Sequence, residues 1–348
     1  MFPEFRTNFE VWPKVSIYQG QLLRIMTRHL RNLGNRLSVS LPVDKEGYLG
    51  RECPDPNCEH YFKIKPGTGL KGLTLPCHCP YCGYKGPMNH FHSRSQIDYA
   101  ASVAKRKVHE AISHDLEDMA RDFNRRTQGG LFSIKMKVES SSSPLSHFTE
   151  KELETNVECG NCTLQYSVYG VFAFCPDCGQ HNSLQILDKN LELVGKILDL
   201  SAGAEVALAE RLIENALEDC VSAFDGFGRE VCRVYAKFSA NPAKAEKISF
   251  QNLDSARQNV MDSFAFNLAD GLALEEWKAA VQCFQKRHLV SHKMGVVDDD
   301  YIQKSGDTQA VVGRKISIGA QEVRSLVQIL GKLARYTSNK FPMMEKNP

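Results

Sequence analysis

Between Arg94 and Arg126 apolar residues return every third or fourth position, at Ile97, Ala101, Ala104, Val108, Ile112, Leu116, Met119 and Phe123. That period places them on one stripe and predicts a long amphipathic helix. The same rhythm governs the second half of the chain. After a stretch from Leu184 to Leu200 it predicts a long helix or a kinked pair over Ala204–Phe238. Val206, Leu212, Ile213, Leu217, Val221 and Phe224 line its apolar side, and Gly226 and Gly228 mark a bend. Further helical stretches fall at Phe250–Phe266, Leu274–His292 and Gln321–Tyr336, enough for a bundle. Near the start, Tyr18 to Leu33 predicts a short helix closed by Gly34, with Arg24, Arg28 and Arg31 on one face. Gly129 and Gly130 end the long helix. A strand-like piece (Leu131–Val138) follows, and Ser140–Ser143 with Pro144 form a linker at a domain edge.

Two stretches lack this period and hold most of the cysteine. In the second, Cys159 and Cys162 form one CxxC and Cys175 and Cys178 another. The spacer carries Leu164, Tyr166, Val168, Tyr169, Val171 and Phe172, which suits a hairpin. Zinc takes four ligands at tetrahedral corners, and two turn-like knuckles at the ends of a hairpin present four thiolates without strain. Asn161 and Gly179 suit such turns. In the first stretch the ligand set is Cys53 and Cys58 (CPDPNC) with Cys79 and Cys82 (CPYC, then Gly83). Cys77, His78, His90 and His92 are spare candidates, and a set using Cys77 stays open. The cofactor expectation is therefore two structural Zn2+ ions, since a closed four-sulfur site has no open position for Lewis-acid chemistry. Cys220, Cys232 and Cys283 lie in apolar helical surroundings and read as buried thiols.

At 348 residues the chain exceeds the size of one growing core. The expected division is 1–130, a zinc ribbon region with the long helix; 131–190, a second ribbon; and 191–348, a helical bundle. The fold class is α+β multidomain: two small β zinc ribbons plus a long helix, followed by an all-α bundle. No apolar run reaches bilayer length, and MFPEFRTNFEVW has neither the basic flank nor the apolar core of an export signal. Cytoplasmic residence without a membrane partner is the expectation, and it favours metal over disulfides for the clustered cysteines. The net charge of +2 is uneven: residues 1–130 carry 19 Lys+Arg against 13 Asp+Glu, leaving 24 against 28. That excess is compatible with a polyanion but does not require one. The first ribbon adds Tyr61, Phe62, Lys63, Lys65, Lys71, Tyr81, Tyr84 and Lys85, a mixture able to stack bases and meet phosphates, although hairpin packing explains the aromatics equally well.

Near the end of the third bundle helix stands Arg287-His288-Leu289-Val290-Ser291-His292, with Gly295 as a natural stop. A helix C-terminus favours a cationic imidazole, which brings His292 into the range useful for proton transfer. At about 100° per residue, Arg287 and His292 stand roughly 140° apart around the helix, whereas His288 and His292 differ by about 40°. Two plainer roles compete: Arg287 paired with the run Asp298–Asp300, and His292 as a helix-terminal cap. Asp225, in AFDGFG, is placed to border a cleft.

The stretch RHLVSHKMGVVDDDYI, with a further helix at Gln321–Tyr336, resembles the HEPN superfamily of ribonucleases and RNA-binding domains. The signature is an Arg and a His a few residues apart on a late bundle helix, with a polar residue after the Arg, here His288. The likeness covers about residues 200–340. It implies metal-independent RNA cleavage at a site completed by dimerisation. His292 is then general base or acid, Arg287 stabilises the phosphate's charge, and His288 positions or shares the proton. Products would be a 2′,3′-cyclic phosphate and a 5′-hydroxyl. It also implies a toxin or antiviral-defence role, RNA as substrate, a homodimer, and a protein partner or inhibitor. The competing expectation is a non-catalytic module whose ribbons bind nucleic acid or protein and whose bundle dimerises.

Overall fold

The computed structural model describes residues 6–9, 28–34, 37–69, 77–127, 135–139, 145, 150–153 and 155–344. The chain divides into two compact units, Met1–Gln180 and His181–Pro348.

In the first unit β1 (Arg6–Phe9) pairs antiparallel with β2 (Leu37–Ser40). α1 (Arg28–Asn32) is the part of the expected 18–33 helix that falls within the described residues; Arg24 lies outside them. β3 (Leu49–Glu52) and β4 (Tyr61–Ile64) flank the first cysteine pair, and the short strands β5 (Cys77–His78) and β6 (Lys85–Gly86) flank the second. After α2 (Arg94–Thr127), the strands β7 (Thr155–Glu158) and β8 (Gln165–Val168) form the hairpin of the second cluster. One four-stranded sheet, ordered β3-β4-β8-β7, joins the two hairpins, while β5 and β6 pair as a separate two-stranded sheet. β4 pairs directly with β8, Lys63 opposite Ser167 and Ile64 opposite Tyr166. Segments some hundred residues apart therefore share one sheet. They also share one core, in which Phe62, Ile64, Phe91, Tyr166 and Val168 surround the cysteines of both clusters.

The long helix α2 has the expected period but a different orientation. Ala100, Ala104, Ala111 and Ala120 are buried, while Ile97, Ile112, Leu116 and Phe123 remain 38–45% exposed. The reason is local. α1 docks against the small-residue side of α2, where Asp115 accepts the backbone N–H groups of His29 (2.9 Å) and Leu30 (3.1 Å). Of the expected strand at Leu131–Val138, residues 135–138 carry no regular structure; residues 131–134 and the 140–144 linker lie outside the described residues.

The second unit is helical: α3 (Ser183–Ser201), α4 (Val206–Tyr235), α5 (Pro242–Ala245), α6 (Leu253–Phe264), α7 (Leu274–Lys293), α8 (Asp299–Ser305) and α9 (Ala320–Met344). Leu187, Leu198, Phe224, Phe250, Phe284, Leu330 and Phe341 fill its core. Left-handed residues end three helices: Ala265, Met294 and Gly306 at φ 57°, 55° and 65°. The expected bend in α4 is not there, because the helix runs unbroken through Gly226 and Gly228. Gly228 serves packing instead: the Phe250 ring occupies the space a Cβ would need. Asp225, expected at a cleft, is buried and engaged in packing. Its carboxylate accepts from the Phe250 N–H (2.5 Å), the Ser249 hydroxyl (3.1 Å) and Arg229 Nε (2.8 Å), fastening the segment before α6 to α4. The run at Asp298 caps α8 through the Tyr301 N–H (2.9 Å) and pairs with Lys293 and Lys304.

His181, Glu230 and Arg233 form a polar cluster in this unit, with the side chains of Glu230 and His181 buried and that of Arg233 exposed. Glu230 accepts Arg233 through both carboxylate oxygens (2.8 and 2.6 Å) and lies 3.3 Å from His181 Nε2. Burial opposes the charge, yet these hydrogen bonds bring Glu230 down to about 2. A depressed carboxylate adds stability above its unfolded value of 4.5 and loses it as pH falls towards 2. The contribution is on the order of 3 kcal/mol. Thermal unfolding of the helical unit followed from pH 6 to pH 2 is expected to lose stability in that window, and Glu230→Gln to flatten that part of the profile. An unchanged profile would refute this assignment. No described helix is long and apolar enough to cross a membrane.

Candidate metal centres and the Arg287–His292 element

Each four-cysteine group comes together. In the first, Cys53 and Cys82 Sγ lie 3.7 Å apart and Cys58 and Cys79 Sγ 3.7 Å; in the second, Cys159 and Cys178 are 3.7 Å apart and Cys162 and Cys175 3.5 Å. Within each group all four sulfurs lie within 4.8 Å of one another. Four sulfurs at a tetrahedral Zn–S distance of ~2.3 Å stand roughly 3.8 Å apart, so both groups fit such an ion. Each can hold one metal, and the donor set is that of a structural site.

The local geometry explains the fit. After the second cysteine of every knuckle the chain takes one left-handed residue: Glu59 (φ 49°), Gly83 (73°), Thr163 (62°) and Gly179 (72°). That residue turns the chain so that an amide points back at the first half of the knuckle. Gly83 N–H donates to Cys79 O (3.0 Å), Thr163 to Cys159 O (2.9 Å) and Gly179 to Cys175 O (2.9 Å). The Tyr81 and Tyr84 amides lie 3.4 and 3.5 Å from the sulfurs of Cys79 and Cys82, where N–H donors stabilise thiolate charge.

Gly179 is under a second constraint, since a Cβ there would sit 2.9 Å from His78 Nε2. Gly179→Ala meets both the left-handed penalty and this clash, and is expected to lower stability by about 2–3 kcal/mol. Denaturant unfolding of the metal-loaded protein checks it; a midpoint matching wild type would refute it.

The spare candidates stand apart from both groups. Cys77 is fully buried with its sulfur towards the His78 carbonyl (3.8 Å), beside Arg51, and burial pushes its thiol up to about 12. His78 rests on Gly179. His92 is brought down to about 4 by burial and by Arg51. His90 is exposed at the surface. Among the described residues no further metal-competent group occurs. One contact the sequence did not reveal is His60, whose Nδ1 lies 3.4 Å from Cys58 Sγ and whose ring packs on Tyr81 at 4.9 Å. The signal was its place two residues after a knuckle cysteine. The two sites differ in exposure: Cys82 is exposed and Cys58 partly so, while in the second only Cys178 is less than buried.

The aromatic and basic residues of the first ribbon divide. Tyr61, Phe62 and Lys63 are buried, Tyr61 bonded to Glu150 and Lys63 to Asp44 (2.8 Å), so hairpin packing accounts for them. Tyr84 and Lys85 remain exposed, and Lys71 lies outside the described residues.

In the helical unit, Arg287, His288 and His292 occupy the last two turns of α7. The two imidazoles are exposed, with centroids 4.8 Å apart and planes tilted by 54°. Arg287 is buried at 8% exposure; it takes part in no ion pair with Asp298–Asp300, and its Nε has no hydrogen-bond partner. Its charge is felt with those of Glu218 and Asp225, both on α4, while burial draws its pKa down. Ser291 reaches Glu218 at 3.4 Å. His288 sits below the ordinary imidazole value, first through burial and then through His292, Lys293, Arg287 and Lys304. Burial and these neighbours all disfavour the charged form of His288. Arg287 and His292 thus face different sides of α7.

No protein-family model matches this chain, and no curated protein or solved structure does so either.

Proposed function

We propose that the chain is a metal-independent endoribonuclease of HEPN type, in which two structural zinc ions hold the ribbon unit and the end of α7 carries the chemistry. The observation behind this reading is the juxtaposition on α7 of a buried guanidinium with an unspent donor and two exposed imidazoles in ring contact. An unpartnered Arg287 Nε is a costly feature for a purely structural residue and a useful one beside a phosphate. Of the two imidazoles, His288 is the one whose cation is disfavoured, which suits it to accept the ribose 2′-hydroxyl proton, with His292 beside it as the partner in proton transfer to the leaving 5′-oxygen. The cationic neighbours that disfavour a proton on His288 also favour the anionic phosphorane. The site is assigned to a homodimer in which the ends of two α7 helices meet, so that the exposed imidazoles of both protomers flank one phosphate and Arg287 acts from beneath them. The homodimer is part of this proposal.

The test uses zinc-loaded protein incubated with RNA without added divalent ion. Products bearing 2′,3′-cyclic phosphate, lost in His292→Ala, are expected. Intact RNA, or equal cleavage by the variant, removes the reading.

The burial of Arg287 favours a second reading, a binding module without cleavage, in which this arginine is held by Glu218 and Asp225 as part of the bundle. Salt-dependent RNA binding with no product would select it.

A further inference from the structure

The two metal sites are built as mirror partners. His78 precedes Cys79 and Pro80 in the first, and Phe174 precedes Cys175 and Pro176 in the second. The His78 N–H donates to Pro176 O (2.8 Å), and the Phe174 N–H donates to Pro80 O (2.8 Å). The glycines follow the same exchange: the Cβ position of Gly179 lies 2.9 Å from the His78 ring, and that of Gly83 lies 3.4 Å from the Phe174 ring. Each CPxC knuckle therefore forms one wall of the other. Two further links reinforce them. The Tyr81 hydroxyl, inside the first knuckle, donates to Tyr61 O (2.9 Å) and accepts from the Tyr169 N–H on the second hairpin (2.9 Å). Lys65 N–H donates to Gln165 O (2.8 Å), and Gln165 N–H to the Thr68 hydroxyl (3.0 Å).

We infer that the two four-cysteine sites take up metal as one cooperative unit, the filling of either site shaping the knuckle against which the other closes. An empty knuckle has no four-sulfur clamp to fix its turn, and without that turn Pro80 O or Pro176 O is misplaced. The neighbouring site then loses a reciprocal pair of backbone hydrogen bonds and the wall behind its glycine. Two net hydrogen bonds and one packed contact correspond to a fall of about 100-fold in the affinity of the remaining site. The coupling is reciprocal by linkage. It concerns metal uptake alone and stands whether or not the helical unit cleaves RNA.

Zinc is the probe, added in steps to the full-length metal-free chain under reducing conditions, with native mass spectrometry counting bound ions. At one equivalent, the expected populations are metal-free and two-zinc protein, with one-zinc protein well below its statistical half. Tyr81→Phe leaves every ligand in place but breaks one bridge, and is expected to raise the one-zinc share. The double variant Cys175→Ser/Cys178→Ser is expected to lose the second ion and to weaken the first site by about 100-fold in competition with a chromophoric chelator. A statistical one-zinc population in the wild type would overturn the inference by itself. So would a double variant that holds one zinc with wild-type affinity.

Discussion

Removing metal is expected to unfold the sheet-bearing unit and to leave the helices after His181 standing. Ligand cysteines make up much of the apolar core of the first unit, and the strands around them are four residues or fewer. Metal binding to such sites is worth roughly 10–16 kcal/mol each at neutral pH. A domain's whole margin is about 5–15 kcal/mol, so nothing else among the described residues of this unit replaces two ions. The helical unit depends on no such ligand; its three cysteines, Cys220, Cys232 and Cys283, are buried thiols in a core of Phe and Leu. Hydrogen exchange read peptide by peptide checks the difference. After treatment with a strong chelator, amides of residues 49–64 and 155–179 should exchange at the rate of an open chain, while those of α4, α7 and α9 keep their protection. Cys162→Ser, at a position only 3% exposed, should reproduce the effect without chelator. Uniform protection in both states would show that the clusters are not what holds the unit.

The second large effect tests the proposed RNA cleavage. His292→Ala should slow it by about 10²–10⁴-fold, the usual contribution of a positioned proton donor or acceptor. Arg287→Lys keeps the charge but not the forked donor set, and should lower kcat with little change in KM. The pH profile separates catalysis from packing. His288 is held below 6.5, so as a base it works down to a lower pH than an ordinary imidazole, and the acid limb of the rate should lie below that value. His288→Ala should remove this limb. If all three variants fold as wild type, by the exchange pattern of α7, and cut as fast as it does, the histidines have no chemical role.

The two four-cysteine groups were legible from spacing, with a set using Cys77 left open in the first, because four-sulfur coordination demands paired knuckles and the chain shows four of them. What spacing did not show was their partnership. The bonds from His78 to Pro176 and from Phe174 to Pro80 join residues about a hundred positions apart, and no local pattern announces a pairing of that range. The helices were legible by period, while the side each presents was not. α2 buries alanines and exposes Ile112 and Leu116, because Asp115 ties α1 to the alanine side. Gly228 in α4 suggested a bend, since a glycine needed for a neighbour's ring and one needed for a kink look alike in a sequence. Asp225, too, looked like a site residue, and it is a fastening for Ser249 and Phe250. Neither the burial nor the neighbours of Arg287 could be read from residue order: an arginine on a helix gives no hint of which side it faces until α4 supplies Glu218 and Asp225.

The pairing of β4 with β8 bears on how this protein can be handled in pieces. A fragment stopped near residue 130, where the glycines and serines invite a cut, would contain four complete ligands and still be only half of a module. Its β4 would present a row of unsatisfied amides and carbonyls, the situation in which chains add to one another through open strands. Such a fragment should precipitate or form mixed assemblies even with zinc present, and supplying residues 150–180 as a separate chain should restore a defined species.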